Sequence, residues 1–249
     1  MEGLWSGARY DDTRSFESIG GCLVVTTIRP KLHSRSDLTP LANEKILLHG
    51  ISWATFEGLI RELESQPSKR LTYDNGLLEI WMPLSPHESL KRWLGRIVEI
   101  TTEEINCEIR SLSACTWRRP DLLKGVEADE CYYIQNEAMI RGKMDIDLAI
   151  DPPPDLVIEI DVTSLSLPRL PIYGALGVSE VWRVYEDVVQ ILVLQDGEYI
   201  EVDRSSSLPF ITTVILQNFL VQASTMGETS WAKGVRQWVR SGFSEADLC

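Results

Sequence analysis

The 249-residue sequence is poor in the residues that build zinc sites, disulfide frameworks and membrane spans. It holds only three histidines, which argues against a zinc centre. Its five cysteines are widely spaced and include no CxxC pair, which favours reduced thiols in a cytoplasmic protein. No signal peptide, no glycine-rich phosphate loop and no apolar run long enough to cross a bilayer is visible. We therefore expect a protein without a membrane partner.

Positive charge is also scarce, because 24 lysines and arginines stand against 37 aspartates and glutamates. The net charge of −13 and the pI near 4.7 argue against constitutive, charge-driven binding to nucleic acid. A metal-dependent nuclease stays open, since bound divalent ions change the local charge. Hydrophobic residues make up 44% of the chain, which is enough for a real core.

The apolar patterns divide the chain into three parts. Residues 1–44 have little helical or strand periodicity and predict a poorly ordered leader. Residues 45–222 carry the strand and helix patterns of one α/β (α+β) domain, and residues 223–249 carry a helix expected to pack on it. Asn75-Gly76 and Asp196-Gly197 are preferred pairs for two-residue turns, so both predict β-hairpins.

A strand of alternating apolar and acidic residues, Asp155–Val162, organises the rest of the chain. Asp155, Glu159 and Asp161 share its acidic face, and neighbours on one face lie about 7 Å apart. A small cation could therefore reach two of these carboxylates. A short helix and a second apolar strand follow, and such a β-α-β frame normally covers both faces of its strand. A solvated acidic face is therefore the weaker interpretation.

Two further stretches predict strands earlier in the chain. Glu108–Trp117 carries one, and Arg118 and Arg119 then form a basic turn that could meet a phosphate or remain solvated. Gly125–Gln135 carries the other, in which Asp129 precedes an aromatic segment. An acid at that place, followed by an acidic strand after a long connection, suggests carboxylates that meet across a sheet.

The candidate site combines the carboxylates of Asp129, Glu159 and Asp161. Clustered carboxylates with few histidines suit hard cations such as Mg²⁺ or Mn²⁺, which favours hydrolysis of a phosphodiester. Arg169 stands at the start of the next helix, where it could reach back to stabilise charge or simply lie on the surface. Four residues are outer candidates with structural alternatives, such as an edge-strand charge for Glu79 and a helix cap for Glu88: Glu79, His87, Glu88 and Asp155.

Four segments carry a family resemblance: LHGISWATFEGLI, RLTYDNGLLEIWMPLSPHE, GVEADECYYIQ, and PPPDLVIEIDVTS followed by IYGALGVSEVWR. Together they resemble the Uma-two family of bacterial proteins, described as restriction endonucleases of the PD-(D/E)XK nuclease superfamily. The resemblance implies a restriction-endonuclease-like core, with a mixed β-sheet flanked by helices and extra β-hairpins. It also implies DNA as the substrate, Asp129 as the first acidic residue and Glu159 as the second.

The sequence departs from the superfamily pattern at the lysine two residues after the second acid, where Asp161 stands. Arg169 holds the place of a lysine moved to the following helix, and it keeps the charge but is a poor general base. Two hypotheses follow: an Mg²⁺-dependent endonuclease with Asp129 and Glu159 as metal ligands, or a non-catalytic interaction protein that keeps the nuclease fold. A homodimer that cuts opposite strands is a further expectation.

Overall fold

The computed structural model describes residues 45–63, 69–82, 85–161, 167–186 and 188–242. All of them fall in the unit that spans residues 35–249. The predicted leader, residues 1–44, lies outside the described residues, as does the end of the predicted carboxyl-terminal segment, residues 243–249.

The strands of the described chain are β1 (Lys45–Leu48), β2 (Arg70–Asp74), β3 (Leu77–Trp81), β4 (Arg110–Ser111), β5 (Thr116–Arg119), β6 (Lys124–Glu127), β7 (Glu130–Tyr133), β8 (Leu156–Asp161), β9 (Glu180–Tyr185), β10 (Val188–Gln195) and β11 (Glu198–Val202). Its α-helices are α1 (Trp53–Leu63), α2 (Ser85–Glu104), α3 (Glu137–Ile140), α4 (Leu170–Leu176), α5 (Thr213–Thr225) and α6 (Glu228–Gly242).

The strands form two sheets. The first has the order β1-β3-β2-β6-β5 and is antiparallel throughout, and the second has the order β11-β10-β9-β8-β7-β4. In the second sheet β8 and β9 run parallel, joined through α4, while its other pairs are antiparallel. Parallel neighbours need such a crossover, whereas antiparallel neighbours can be joined by a short turn. The predicted α/β fold, with a mixed sheet flanked by helices and extra hairpins, is therefore confirmed.

Both predicted hairpin turns are confirmed. Asn75 and Gly76 join β2 to β3 with φ values of 47° and 90°, and Asp196 and Gly197 join β10 to β11 with 51° and 87°. A type I′ turn needs positive φ at both central residues, which asparagine, aspartate and glycine tolerate. The turn residues therefore fix the register of both hairpins.

Strand β8 is buried on both faces, as the β-α-β pattern predicts. Leu156, Ile158 and Ile160 point into a core shared with α2, α5 and α6. Val157 points to the other side, into a second core that contains side chains of α4. The acidic face of this strand is therefore not solvated, and its carboxylates must find partners inside the protein.

Two of the predicted strands are each divided between the sheets. Gly125–Gln135 contributes β6 to the first sheet and β7 to the second, so the chain crosses between sheets just before Asp129. Glu108–Trp117 likewise contributes to β4 and β5, which lie in different sheets. The prediction of one strand in each stretch was wrong, because the alternation of side chains does not reveal a crossing between sheets of two residues (128–129) or of four (112–115). Arg118 and Arg119 also belong to β5 rather than to a turn.

The first sheet has one apolar and one polar face, and both are covered. Leu71, Tyr73 and Leu78 pack against Phe56 of α1. The opposite face carries Arg70, Thr72, Glu79 and Trp81, all of them buried. Buried polar groups need partners, so this face marks the part of the interior where chemistry can be expected.

The carboxyl-terminal helix α6 packs on the domain. Trp231, Val235 and Val239 of α6 are buried in the core that also contains α2 and α5. On the surface of this contact Arg236 and Arg240 pair with Glu104 of α2. No helix in the described ranges is long and apolar enough to cross a membrane.

Candidate functional site

Asp129 and Glu159 lie across from each other where β7 meets β8. Asp129 is the residue before β7, at the crossing between the sheets. The antiparallel register pairs Glu130 with Ile158, so one further step places Asp129 beside Glu159. Residues paired in this way point to the same face of a sheet. The two acids that were predicted to meet are therefore brought together, and both are buried.

The Asp129 carboxylate is held from two directions. Its Oδ2 accepts a hydrogen bond from the backbone N–H of Ile160 at 2.9 Å, and His87 Nε2 lies 3.0 Å from the same oxygen. Burial by itself raises the pKa of Asp129. The hydrogen bond and charge of His87, together with the Arg169 guanidinium, outweigh burial and leave that pKa below its usual value. Asp129 is therefore arranged to carry negative charge.

Glu159 is held by two donors from the following helix. Arg169 Nη1 donates to its Oε2 at 2.6 Å, and the hydroxyl of Tyr173 donates to its Oε1. Burial raises the pKa of Glu159 to about 7, with a further contribution from the negative charge of Asp129, although Arg169 and Tyr173 oppose the change. Two neighbouring acids with pKa values pushed apart are typical of functional sites.

Arg169 is buried, so its interpretation as a plain surface arginine is wrong. It lies just before α4, and its guanidinium stacks 5.0 Å from the centre of the Trp81 ring. Its Nε and Nη2 have no hydrogen-bond acceptor among the described residues. Since Nη1 is bound to Glu159, one edge of the guanidinium is used and the other is available.

Asp161 lies on the same face of β8 as Glu159 but has a partner of its own. Arg183 of β9 donates from Nη2 to Asp161 Oδ2 at 2.5 Å. The other oxygen, Oδ1, has no hydrogen-bond partner within the described ranges. Both Asp161 and Glu159 line a cleft of about 720 Å³.

The outer candidates separate into two groups. His87 touches Asp129, and Glu79 lies on the polar face of the first sheet with its Oε2 accepting the backbone N–H of Leu167 at 3.3 Å. Glu79 is buried on an internal strand, so its interpretation as an edge-strand charge is wrong. Glu88 and Asp155 make their main contacts with other partners.

Glu88 pairs with Lys91 at 2.7 Å and lies 3.4 Å from His87 Nδ1, so it touches the site only through the histidine. Asp155 accepts hydrogen bonds from the backbone N–H groups of Ile134 and Asn136 and from the Asn136 amide. These three bonds assign Asp155 to fixing the turn after β7 rather than to the candidate site.

Two residues of the site, Arg70 and Tyr173, carried no functional expectation from the sequence. Arg70 donates from Nη1 to Glu127 Oε1 at 2.9 Å, and its Nε lies 3.8 Å from Asp129 Oδ1. Tyr173 was expected only to pack, yet it binds Glu159. Its position four residues after Arg169, on the same side of a helix, was the available signal.

Lys45 is a further cation that the sequence did not indicate. It faces Trp81 across β1 and β3, and Trp81 contacts Arg169. Burial lowers the pKa of Lys45, the carboxylates of Glu79 and Asp161 raise it, and Arg169 lowers it. Lys45 therefore lies within electrostatic reach of the site, although it comes from a strand more than a hundred residues before Glu159.

Comparison with known families identifies the chain. A family model, Uma2, described as "Putative restriction endonuclease", matches residues 53–224, more than half of the chain. The chain belongs to the Uma2 family. Among solved structures, it is similar to a "putative nuclease belonging to DUF820" from Anabaena variabilis ATCC 29413. That similarity has 15% identity and a TM-score of 0.40, and it covers 59% of this chain and 89% of that one. No curated protein gives a match.

The Uma2 match includes Asp129, Glu159, Asp161 and Arg169 but begins eight residues after Lys45. The lysine thus lies outside the matched part of the chain. The charged side chains that surround Asp129 and Glu159 come from both sheets and from α2, so the site depends on the whole Uma2 domain rather than on one motif.

One carboxylate oxygen of this Uma2 site could serve as a ligand of a small divalent cation. Asp129 Oδ1 is buried and has no hydrogen-bond donor among the described residues, and Glu159 lies beside it. The described residues contain no group of three His, Cys, Asp or Glu side chains suited to a metal ion. Mg²⁺ does not require three protein ligands, because it commonly binds one or two carboxylates and completes its coordination shell with water and substrate phosphates.

Proposed function

We propose that this protein is a Mg²⁺- or Mn²⁺-dependent endonuclease that hydrolyses phosphodiester bonds of DNA. The observation that carries the proposal is the position of Asp129 across from Glu159 on one buried face, beside the guanidinium of Arg169. Membership of the Uma2 family, described as restriction endonucleases, supports the same reaction class. The proposed metal ligands are Asp129 and Glu159.

Each surrounding residue has a role in this proposal. A bound Mg²⁺ would polarise a phosphoryl oxygen and lower the pKa of a water molecule. His87 and the backbone N–H of Ile160 orient Asp129. Arg169 orients Glu159 and stabilises developing negative charge, but it does not take up a proton, because a guanidinium stays protonated. Asp161 supports the site by holding Arg183 in place.

The test is a nicking assay on supercoiled DNA with Mg²⁺, Mn²⁺ or EDTA. We expect nicking only with the metal ions, and we expect Glu159→Gln to lose at least about a hundredfold in rate, since one metal ligand is removed. Glu228→Gln is the matched control, because Glu228 also pairs with an arginine but is exposed on α6. Circular dichroism checks folding of both variants. Equal nicking by Glu159→Gln, or nicking by the intact protein in EDTA, would reject the proposal.

A second candidate function is that of a non-catalytic interaction protein. It is favoured by one observation: both carboxylate oxygens of Glu159 already accept hydrogen bonds, from Arg169 and Tyr173. A metal ion would have to compete with these donors. Calorimetry with millimolar Mg²⁺ and Mn²⁺ separates the two functions. Absence of metal binding, together with a stable protein partner, would favour the interaction protein.

The homodimer belongs to the proposal as well. Cutting both strands of a duplex needs two sites, and a two-fold dimer supplies them. The apolar face of α6 is buried within the protomer, which leaves the hairpins as candidate interface elements. Sedimentation at micromolar concentration tests the dimer, and a single monomeric species would reject it.

A further inference from the structure

The cleft beside Glu159 has charged side chains in its wall and an aromatic side chain at its rim. It is formed by the start of α4, the ends of β8 and β9, and the turn between β10 and β11. Two acid–arginine pairs, Glu159–Arg169 and Asp161–Arg183, lie in its wall. Tyr185 lies next to them. Ligand sites typically combine a mostly apolar cleft with a few placed polar groups of this kind.

At the outer part of the cleft, Arg183 and Tyr185 form a stacked pair. The guanidinium carbon of Arg183 lies 4.4 Å from the centre of the Tyr185 ring. The side chain of Arg183 is 24% exposed and Tyr185 is 36% exposed, so the pair reaches water. A flat surface that is both aromatic and cationic suits a nucleobase, because every base has a π-face that stacks on tyrosine and arginine.

Arg169 lines the inner part of the cleft, and one edge of its buried guanidinium has no acceptor among the described residues. Its Nη1 is bound to Glu159, whereas Nε and Nη2 have no acceptor among the described residues. These two nitrogens lie along one side of the planar guanidinium, and such a fork pairs with two oxygens of a phosphate. A buried N–H without an acceptor costs free energy, so an anion that reached this edge would be stabilised by it.

The size of the cleft limits what can enter. A volume of about 720 Å³ is in the range of small-ligand sites and holds a nucleotide, but it is too small for both strands of a duplex. A nucleotide can reach such a site only if it is unpaired or is displaced from its stack. The ligand with a base, a phosphate and this size is therefore one unpaired nucleotide.

We propose that this cleft binds one unpaired nucleotide of a nucleic-acid strand, with its base on the Arg183–Tyr185 pair and its phosphate beside the guanidinium of Arg169. This rests on the proposed nuclease function, which supplies nucleic acid as the ligand. It adds the substrate class, because single strands and duplexes with unpaired nucleotides become the preferred substrates. Asp161 accepts a hydrogen bond from Arg183 and so helps to hold the stacked pair in place under the base.

The test is fluorescence anisotropy with a short labelled oligothymidine strand and a duplex of equal length, in EDTA so that hydrolysis does not enter. The full chain is compared with Tyr185→Leu, Tyr185→Phe and Arg183→Gln. The matched control is Arg141→Gln, because Arg141 is an exposed arginine paired with Glu137 and lies outside the cleft.

We expect the intact protein to bind the single strand at least about tenfold more tightly than the duplex. Tyr185→Leu should weaken single-strand binding about tenfold, while Tyr185→Phe keeps the ring and stays within about twofold. Arg183→Gln should weaken it by a similar factor, and Arg141→Gln should leave it unchanged. Thermal melts confirm that each variant is folded, which an exposed position such as Tyr185 favours.

Three outcomes would overturn the inference: equal binding of strand and duplex, no binding of the strand, or unchanged binding by folded Tyr185→Leu. These outcomes differ from the results that would reject the proposed nuclease function. Metal-dependent nicking that is indifferent to Tyr185 and Arg183 would reject the cleft and retain the nuclease. Single-strand binding that needs Tyr185, without nicking in any metal, would retain the cleft and reject the nuclease.

Discussion

At the scale of single residues, the two facing acids experience opposite environments. Asp129 accepts hydrogen bonds that favour its charged form, which lowers its pKa. Burial and the charge of Asp129 disfavour the charged form of Glu159 and raise its pKa to about 7. The cost of placing two carboxylates together is thus concentrated on Glu159. A cation bound there would remove that cost, which connects the electrostatics of the site to its proposed chemistry.

The raised pKa of Glu159 predicts a pH-dependent stability. Without metal, folded Glu159 keeps its proton up to about pH 7, whereas in the unfolded chain it loses it near pH 4.5. Between these values the folded state binds more protons, so the free energy of unfolding should fall as pH rises, by up to about 3 kcal/mol. Urea denaturation in EDTA near pH 5 and pH 8 measures this.

Glu159→Gln cannot ionise and should lack this part of the pH dependence. Glu228→Gln, at an exposed ion pair, should keep the dependence of the intact protein. If Glu159→Gln shows the same fall in stability as the intact protein, the raised pKa of Glu159 is not its cause.

Lys45 gives a second prediction for a single residue. Its ammonium lies within electrostatic reach of Asp161 and Arg169, so it can add positive charge where the proposed reaction places a phosphate. We expect Lys45→Ala to slow metal-dependent nicking by on the order of tenfold. Lys124→Ala is the control, because Lys124 pairs with Asp74 away from the site. Nicking at the same rate by both variants would contradict a role for Lys45.

The acids of the site and Arg169 could be predicted from the sequence, but the cations Arg70 and Lys45 could not. Glu159 stood out because an acid in an otherwise apolar strand needs a partner, and Asp129 because of its place before an aromatic strand. Arg70 and Lys45 reach the site only through the register of the first sheet, which pairs each of them with Trp81. No local pattern around either residue carries that information.

At the scale of elements, the packing of α1 on the first sheet depends on one glycine. Gly125 of β6 lies under the ring of Phe56, where an added Cβ would come within 2.5 Å of Phe56 Cζ. Phe56 in turn stacks on Tyr73 at 4.8 Å, so the ring cannot easily move away. A side chain at position 125 would therefore push α1 off the sheet.

Gly125→Ala should lower the free energy of unfolding by about 1–3 kcal/mol, because overpacking forces neighbouring groups apart. Gly58→Ala is the matched control, since Gly58 lies in α1 with no atom within 4 Å of the added Cβ. Alanine there should stabilise the helix by about 0.5–1 kcal/mol. Chemical denaturation measures both changes. The predicted contact with Phe56 would be contradicted if Gly125→Ala changed the free energy of unfolding less than Gly58→Ala does. It would also be contradicted if both variants changed it in the same direction.

Elements with strong local signals were predicted correctly, whereas short strands beside a crossing between sheets were not. The hairpin at Asn75-Gly76 and the parallel pair around α4 follow from turn chemistry and from an apolar strand–helix–strand pattern. Strands β4 and β6 have two and four residues, too few for periodicity to show where one ends and the next begins. Which of the two sheets each strand joins is decided by its contacts with residues far away in the sequence.

At the scale of the whole molecule, the site lies where the two sheets meet, and α2 joins it to the carboxyl-terminal helix. His87 in the first turn of α2 contacts Asp129, and the other end of α2 pairs with α6 through Glu104. Trp231 of α6 is buried and donates from Nε1 to the carbonyl of Phe219 at 2.9 Å. The packing of α6 thus supports the helix that carries His87.

Trp231→Ala should therefore destabilise the whole domain, by about 3–5 kcal/mol, because it empties a large buried volume. Trp231→Phe should cost less, since it keeps most of the apolar contact and loses mainly the hydrogen bond to Phe219. Lys233→Ala, at an exposed position on the same helix, should change stability by less than about 0.5 kcal/mol. Urea denaturation of the three variants measures these values. If Trp231→Ala unfolded α6 alone and left the main unfolding transition unchanged, α6 would not stabilise the rest of the domain. The position of His87 would then not depend on α6.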